Sequence, residues 1–236
     1  MAPVRTVRIV LGSLAGTAVL FQAITVAGYL GRQSRVDTQW LPETAAVVEA
    51  TTDVGDITVR VAAPGERPRL EQRLRWAFWS PSHSLRQVDG RVEARASCPP
   101  IGALCTVDVE LVVAPGSPVR VSTSMGDIRV DPTSADVTAV TDVGDVIVHG
   151  GGAGADLSAE TSVGDVRVFV SAGTPSVRAI SATGDVRVAV ASGESFAVQA
   201  GTDVGDTRVE VASDPASGRP LLARTSTGDV QVVIDN

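Results

Sequence analysis

Aspartate is the residue of this chain whose recurrence could support chemistry. A Gly-Asp pair occurs seven times, and from residue 126 onward successive pairs are 18, 20, 20, 21 and 23 residues apart. A repeat of that period is typical of stacked structural units and not of one globular core. Stacking would bring the carboxylates into a row, where they could pair with arginines, bind cations or stabilise corners. The pairs are Gly55-Asp56, Gly126-Asp127, Gly144-Asp145, Gly164-Asp165, Gly184-Asp185, Gly205-Asp206 and Gly228-Asp229.

A row of carboxylates needs something to offset its charge. Stacked strands lie about 4.8 Å apart, and bare carboxylates at that spacing repel one another. Four units carry an arginine two residues after the aspartate, on the same outward face of a strand: Arg129, Arg167, Arg187 and Arg208. The sequence therefore predicts a lattice of alternating Asp and Arg side chains.

Calcium is the alternative way to neutralise the row. Three units carry a second acid three residues before the corner, namely Asp53, Asp142 and Asp203. Because Ca²⁺ takes about six to eight oxygen ligands and the other units lack the second acid, calcium is the less favoured partner. We expect the Gly-Asp pairs to be structural corners that need no cofactor or metal.

Enzyme and nucleic-acid functions find little support in the residue types. Glycosidases need two non-equivalent carboxylates in a cleft, whereas these acids repeat identically. The chain has only two histidines, His83 and His149, and it has no lysine, so a phosphate-binding loop of the Gly-Lys-Ser/Thr type is excluded. A net charge of −7 argues against a nucleic-acid partner. We predict no catalytic residues.

Alternating apolar residues flank each Gly-Asp pair and predict two strands per unit. Before the pair, one unit reads Leu157, Ala159, Thr161, Val163; after it, the parity shifts by one to give Val166, Val168 and Val170, and the last unit likewise gives Val230, Val232 and Ile234. A straight strand cannot shift parity, so Gly-Asp is a corner or bulge. We expect the apolar residues on both sides of the corner to face a shared interior.

The predicted fold class is all-β, with a β-solenoid-like stack of about 20-residue strand–Gly-Asp–strand repeats over residues 46–236. Residues 62–117 read as inserted antiparallel strands that cap the stack, with a hairpin turn at Asp89-Gly90. Trp76, Phe78 and Trp79 form an aromatic cluster in this insertion. The cluster either fills the core of the cap or offers a platform for stacking a sugar.

An uncharged, apolar segment at residues 9–31 precedes the repeats. Twenty-three residues are enough to span a bilayer as a helix. We expect a transmembrane helix or signal anchor, with residues 1–8 in the cytoplasm and residues 32–45 as a tether. A cleaved signal peptide and a buried helix are the alternatives.

Two cysteines, Cys98 and Cys105, flank a short loop in the insertion. A pair of thiols closing one loop favours a disulfide, and hence an oxidising compartment, over a zinc site, which needs four ligands.

Residues 107–130, VDVELVVAPGSPVRVSTSMGDIRV, and the later TSVGDVRV and SATGDVRV resemble the bacterial putative-adhesin β-strand-repeat domains of unknown function. The resemblance covers residues 45–236 and implies a β-solenoid-like domain on an envelope protein, behind a membrane segment. It supplies no catalytic residues. The chain departs from the pattern in the 71 residues that separate its first and second Gly-Asp pairs.

These features together predict a non-catalytic, single-pass, adhesin-like interaction or scaffold protein of the cell membrane, with its β domain outside the cytoplasm. Because the last strand has no capping sequence after it, we expect an open edge at residues 229–235 that pairs with an envelope protein or a second copy. The alternatives are a regulatory partner of a membrane signalling system and a β-helix enzyme acting on cell-wall polysaccharide.

Overall fold

The computed structural model describes residues 31–99 and 104–235, and within these ranges the chain folds into strands and loops alone. No helix of the described residues is long and apolar enough to cross a membrane. The predicted membrane segment at residues 9–31 and the cytoplasmic residues 1–8 lie outside the described residues, apart from Gly31.

The described residues form nineteen strands, numbered in chain order, in two sheets that pack face to face. Sheet A has the spatial order β1 (Gln33–Trp40), β4 (Arg69–Trp76), β7 (Thr106–Val113), β3 (Ile57–Val61), β9 (Ile128–Thr133), β11 (Val146–Gly150), β13 (Val166–Val170), β15 (Val186–Ala191), β19 (Val230–Asp235), β17 (Thr207–Val209). Sheet B has the order β16 (Ala197–Val204), β18 (Pro220–Thr227), β14 (Val177–Thr183), β12 (Leu157–Val163), β10 (Val137–Val143), β8 (Val119–Met125), β2 (Val47–Val54), β6 (Arg91–Ser97), β5 (Ser82–Val88).

Each repeat contributes one strand to each sheet, and we call such a pair of strands a rung. The Gly-Asp corner joins the two strands, as between β12 and β13. Neighbouring rungs pair in parallel and in register, so that Val166 lies opposite Val146 on one side and Val186 on the other. The stacked, solenoid-like arrangement predicted from the repeats is therefore confirmed.

Small aliphatic side chains fill the space between the sheets. Leu157 and Ala159 point inward from β12, and Val166 and Val168 point inward from β13; each is at most 2% exposed. Burial of one such valine or leucine contributes about 1.5–3 kcal/mol relative to exposure. One continuous core runs along the whole stack because no single rung can bury its own apolar face.

The expectation that all the apolar residues around the corner face inward is wrong for the position before glycine and for Ile234. Val163 is 49% exposed and Ile234 is 42% exposed. The strand turns outward after Thr161, so that the two residues preceding the glycine both face solvent. Met125, Val143 and Val163 consequently form an exposed apolar stripe beside the corners, on neighbouring strands in register.

Antiparallel strands close the N-terminal end of the stack. β4 pairs antiparallel with both β1 and β7, and β5 pairs antiparallel with β6 through the Asp89-Gly90 turn. Two features differ from the sequence prediction. Residues 32–45 contain the edge strand β1, and β6 and β7 pair in parallel with β2 and β3, so that together they form a rung of the stack.

The rungs at the C-terminal end do not follow chain order. The seventh repeat, β18 and β19, lies between the fifth, β14 and β15, and the sixth, β16 and β17. The predicted open edge at residues 229–235 is therefore wrong for Val230–Val232, where β19 pairs with β17 as well as with β15; residues 233–235 pair with β15 alone. At this end of the described stack the strands that lack a second neighbour are β16 and β17, and at the other end they are β1 and β5.

Candidate functional site

The seven Gly-Asp corners share one hydrogen-bond pattern. Three residues before each glycine stands a threonine or serine, buried in six corners and half-buried at Thr202, whose hydroxyl donates to a backbone carbonyl of the neighbouring rung. Thr161 Oγ1 donates to Gly144 O at 2.9 Å, and Ser181 Oγ donates to Gly164 O at 2.9 Å. Gly144 N–H in turn donates to Val163 O at 2.9 Å. Each corner except Gly205-Asp206, which lies at the end of the stack, is thereby tied to the rungs on both sides.

The aspartates of the corners form a continuous ladder held by backbone amides. The N–H of Asp165 donates to Oδ1 of Asp145 at 2.8 Å, and the N–H of Asp185 donates to Oδ1 of Asp165 at 2.9 Å. A backbone N–H that donates to a carboxylate makes a charge-assisted hydrogen bond, which is stronger than one between neutral groups. In spatial order the ladder is Asp108, Asp56, Asp127, Asp145, Asp165, Asp185, Asp229, Asp206.

The predicted Asp/Arg lattice is largely absent from the described chain. Arg167 does pair with the ladder, 2.7 Å from Asp165 and 3.6 Å from Asp145. The other three predicted arginines pair elsewhere: Arg129 with Asp131, Arg187 with Gln231, and Arg208 with Glu210. Backbone N–H groups, and not the predicted arginines, are therefore the main partners of the carboxylates in the ladder.

The corner requires glycine because the chain passes too close to the next rung for a side chain. A Cβ on Gly164 would lie 2.1 Å from Gly144 O, far inside van der Waals contact. The same residue has φ of 142°, a conformation that L side chains rarely adopt. The remaining corner glycines have φ between 136° and 148°.

The acids preceding the corners do not assemble a metal site. Asp53 accepts the N–H of Cys98 at 3.2 Å, and the described residues contain no group of three or more His, Cys, Asp or Glu that could hold a metal ion. The histidines lie apart: His83 Nε2 is 3.4 Å from Asp37, and His149 stacks on Phe169 with ring centroids 4.2 Å apart. Neither histidine touches the ladder.

Cys98 and Cys105 form the predicted disulfide. Their loop joins β6 to β7 at the point where other rungs have a Gly-Asp corner. Val107 O accepts the hydroxyl of Thr52 at 3.3 Å, and Asp108 begins the aspartate ladder. The disulfide loop thus replaces the corner in the rung formed by β6 and β7.

The aromatic cluster divides between core and surface. Trp76 packs against the core of the stack. Phe78 and Trp79 are 51% and 56% exposed, and their ring centroids are 6.0 Å apart. They lie in the turn that connects β4 to β5, at the N-terminal end of the stack.

The corner at the opposite end has half of its hydrogen bonds unfilled. The N–H of Asp206 donates to Asp229 Oδ1 at 2.9 Å, as elsewhere in the ladder. No described residue donates to Asp206 Oδ1 or to Gly205 O, because no further rung follows. This corner therefore presents two acceptors and the Gly205 N–H to any chain that pairs with β16 and β17.

Sequence reasoning found the Gly-Asp pairs and missed two of their partners. The serine or threonine three residues before each glycine recurs in all seven units, and this spacing was a usable signal. Asp108 lacks a preceding glycine, so only the stacking of β7 on β3 brings it into the ladder.

The fold and its corners define a class of protein: a stacked all-β repeat domain whose acidic residues serve as structural ties. Residues 107–235 match the model of the Toastrack DUF4097 family, and the chain belongs to that family. The match covers β7 to β19 and leaves out β1 to β6, which include the first Gly-Asp rung, β2 and β3.

One solved structure agrees with this fold, and a second is similar over less of its geometry. A protein described as a putative cell adhesion protein from Clostridium sporogenes is 12% identical, with 86% of this chain and 100% of that chain covered and a TM-score of 0.50. A protein described as a putative adhesin from Bacteroides fragilis is also 12% identical, with 86% and 97% covered and a TM-score of 0.31. At this identity the first similarity shows the fold alone. Comparison with curated protein sequences gives no match.

Proposed function

We propose that this protein is a non-catalytic, adhesin-like interaction module, anchored in the cell membrane by residues 9–31 and displayed outside the cytoplasm. The observation that carries the proposal is the unfilled corner at Gly205-Asp206, which offers a template for one more rung. The Cys98–Cys105 disulfide supports an oxidising compartment. The ties within the aspartate ladder support a structural role for the acids.

The contact surface is the free edge of β16 and β17. The N–H of Ala197 donates to Arg219 O at 2.8 Å, on the side of β18. Residues in a parallel ladder alternate in direction, so the N–H groups of Val198 and Ala200 point away from β18. Edges of this kind recruit a strand from another chain unless they are covered. Residues 212–214 cover the start of β16 at Phe196 and leave the rest of the edge free.

The direction and the charge of this edge favour a basic partner over a second copy of the chain. A two-fold pairing of β16 with its own copy would be antiparallel, so it could not fill the corner as a parallel rung does. Asp203 and Asp206 are acidic and make no ion pair within the described residues. The partner that fits is a β-strand of another envelope protein with arginine or lysine on its outward positions.

A peptide with the sequence of residues 177–190 tests the template. Its corner would place Ser181 against Gly205 O and the N–H of Asp185 against Asp206 Oδ1, as in the native ladder. We expect the labelled peptide to bind the full-length protein in detergent, measured by fluorescence anisotropy. The Gly184→Ala peptide is the matched control, because its Cβ would clash with the preceding corner as it does in the native stack, 2.0 Å from a carbonyl oxygen.

The edge is tested from the protein side with Ala200→Pro, which removes an outward N–H. We expect peptide affinity to fall at least about tenfold while circular dichroism shows an unchanged melting temperature. Equal binding of both peptides, or full binding by a folded Ala200→Pro protein, would show that the free edge is not the contact surface.

A further inference from the structure

We propose that the N-terminal end of the stack docks onto the phospholipid bilayer, with the turn at residues 77–81 inserted into the interfacial zone through Phe78 and Trp79. This inference rests on the membrane anchor proposed above. It adds a second protein–membrane contact and fixes which end of the stack faces the lipid.

The position of β1 leaves no room for a tether. Only Arg32 lies between the apolar segment, which ends at residue 31, and the first residue of the strand, Gln33. The end of the segment is therefore at most about 7 Å from Gln33. Gln33 pairs with Trp76, and the turn at residues 77–81 follows directly. The exposed aromatics thus lie beside the point where the apolar segment meets the stack.

The turn has the composition of a membrane-interface contact. Its ends are held in the protein, because Ala77 and Pro81 are buried, whereas Phe78 and Trp79 between them project into solvent. Aromatic side chains are enriched at the level of lipid headgroups, where an indole has both an apolar face and a polar N–H. Two exposed large aromatics side by side are unusual for a surface that contacts water alone.

The distribution of charge agrees with this orientation. Residues 32–99 carry ten arginines and nine acidic residues, whereas residues 104–235 carry eight arginines and eighteen acidic residues. A bilayer with anionic headgroups attracts arginine near its surface and repels acids. Arg35 on β1 and Arg86 on β5 lie at the end that we place on the lipid, and the aspartates of the terminal corner lie at the other.

Quenching by brominated lipids tests the docking in the full-length protein reconstituted into phosphatidylcholine–phosphatidylglycerol vesicles. One variant keeps Trp79 as the only tryptophan, through Trp40→Phe and Trp76→Phe. The matched control adds Trp79→Phe and carries its tryptophan at the far end of the stack, through Val204→Trp. We expect brominated acyl chains to quench Trp79 at least about twofold and to leave the far-end tryptophan unquenched.

Two results would overturn the proposed docking, and they differ in whether the proposed membrane anchor also fails. If the protein floats with the vesicles and Trp79 is quenched no more than the far-end tryptophan, the docking fails and the anchor stands. A platform for sugars is then the reading left for the aromatic pair. If the protein does not float with the vesicles, the anchor fails and the docking fails with it.

Discussion

The corner glycine shows most directly how one residue type determines this architecture. At residue 164 a side chain would meet a carbonyl oxygen of the neighbouring rung and would also require a strained φ. We expect Gly164→Ala to lower the free energy of unfolding by about 2–4 kcal/mol, because the clash with backbone adds to the conformational cost. Urea denaturation monitored by circular dichroism measures the change.

Gly154 provides the matched control for that substitution. It also has positive φ, of 89°, but a Cβ there would meet nothing within 4 Å. Gly154→Ala should therefore cost only the conformational term, about 1 kcal/mol. Equal losses at the two positions would mean that the close approach of the corners contributes nothing.

Two substitutions in the aspartate ladder separate the contribution of the accepting oxygen from that of the negative charge. Oδ1 of Asp185 accepts the N–H of Asp229 at 2.8 Å. Asp185→Ala removes this acceptor and should cost about 1 kcal/mol. Asp185→Asn keeps an oxygen in place and relieves repulsion from neighbouring carboxylates, so it should be at least as stable as the natural chain. An Asn variant as unstable as the Ala variant would show that the charge, and not the hydrogen bond, matters.

The alternation of apolar residues correctly predicts which side chains face inward after the corner. It is wrong for the residue just before the glycine. Val166 and Val168 are buried as their alternation indicates, because β13 is a regular strand. Val163 is exposed because the chain leaves the strand direction once the hydroxyl of Thr161 has bonded to Gly144 O. Alternation alone cannot reveal where a corner begins, since that depends on contacts with the next rung.

At the scale of elements, the loop between β3 and β4 is fixed by one acid. Glu66 accepts two hydrogen bonds from Arg60, at 2.6 and 2.7 Å, one from the N–H of Ala63 and one from Arg69. The hydrogen bonds from Arg60, followed by those from Ala63 and Arg69, hold the pKa of Glu66 well below its usual range. The charged form of Glu66 therefore stabilises the fold.

The hydrogen bonds to Glu66 predict that the melting temperatures of the natural chain and of Glu66→Gln differ by an amount that depends on pH. A carboxyl whose pKa is lowered by folding contributes stability above its ordinary pKa, about 4.3, and loses it as the pH falls towards the folded value. We expect Glu66→Gln to melt at a lower temperature at pH 7 and the gap to narrow below about pH 4. A gap that is constant from pH 7 to pH 3 would contradict the assignment.

Sequence reasoning identified the repeating strands but not their order at the end of the stack. The step from the sixth corner to the seventh is 23 residues, only slightly longer than the others. The loop before β18 leads the chain back towards the fifth repeat, so that the seventh repeat lies between the fifth and the sixth. Phe196, which is fully buried, and Arg219, which lies 4.3 Å above its ring, stabilise this return. Such long-range contacts leave no periodic signal in the sequence.

At the scale of the whole molecule, the two ends of the stack differ in kind. Antiparallel strands close the N-terminal end, which carries the exposed aromatics. The other end is an open, acidic rung of limited burial. An anchored stack would therefore present its unfilled corner away from the membrane, where a partner can reach it.

The unfilled corner at Gly205-Asp206 exists only if the rungs stack through their corners in the order fifth, seventh, sixth. Thr183 and Thr227 are exposed and lie opposite each other in neighbouring strands, whereas Val204 lies one strand further on. Neighbouring strands are about 4.8 Å apart, within the reach of a disulfide, and a separation of two strands is beyond it.

Disulfide trapping between paired cysteines therefore tests the stack directly. Under mild oxidation, with peptide mapping by mass spectrometry, we expect Thr183→Cys with Thr227→Cys to cross-link within one chain. Thr183→Cys with Val204→Cys should remain reduced. Cross-linking of the second pair and not the first would place the sixth repeat next to the fifth, and failure of both pairs would contradict stacking through the corners.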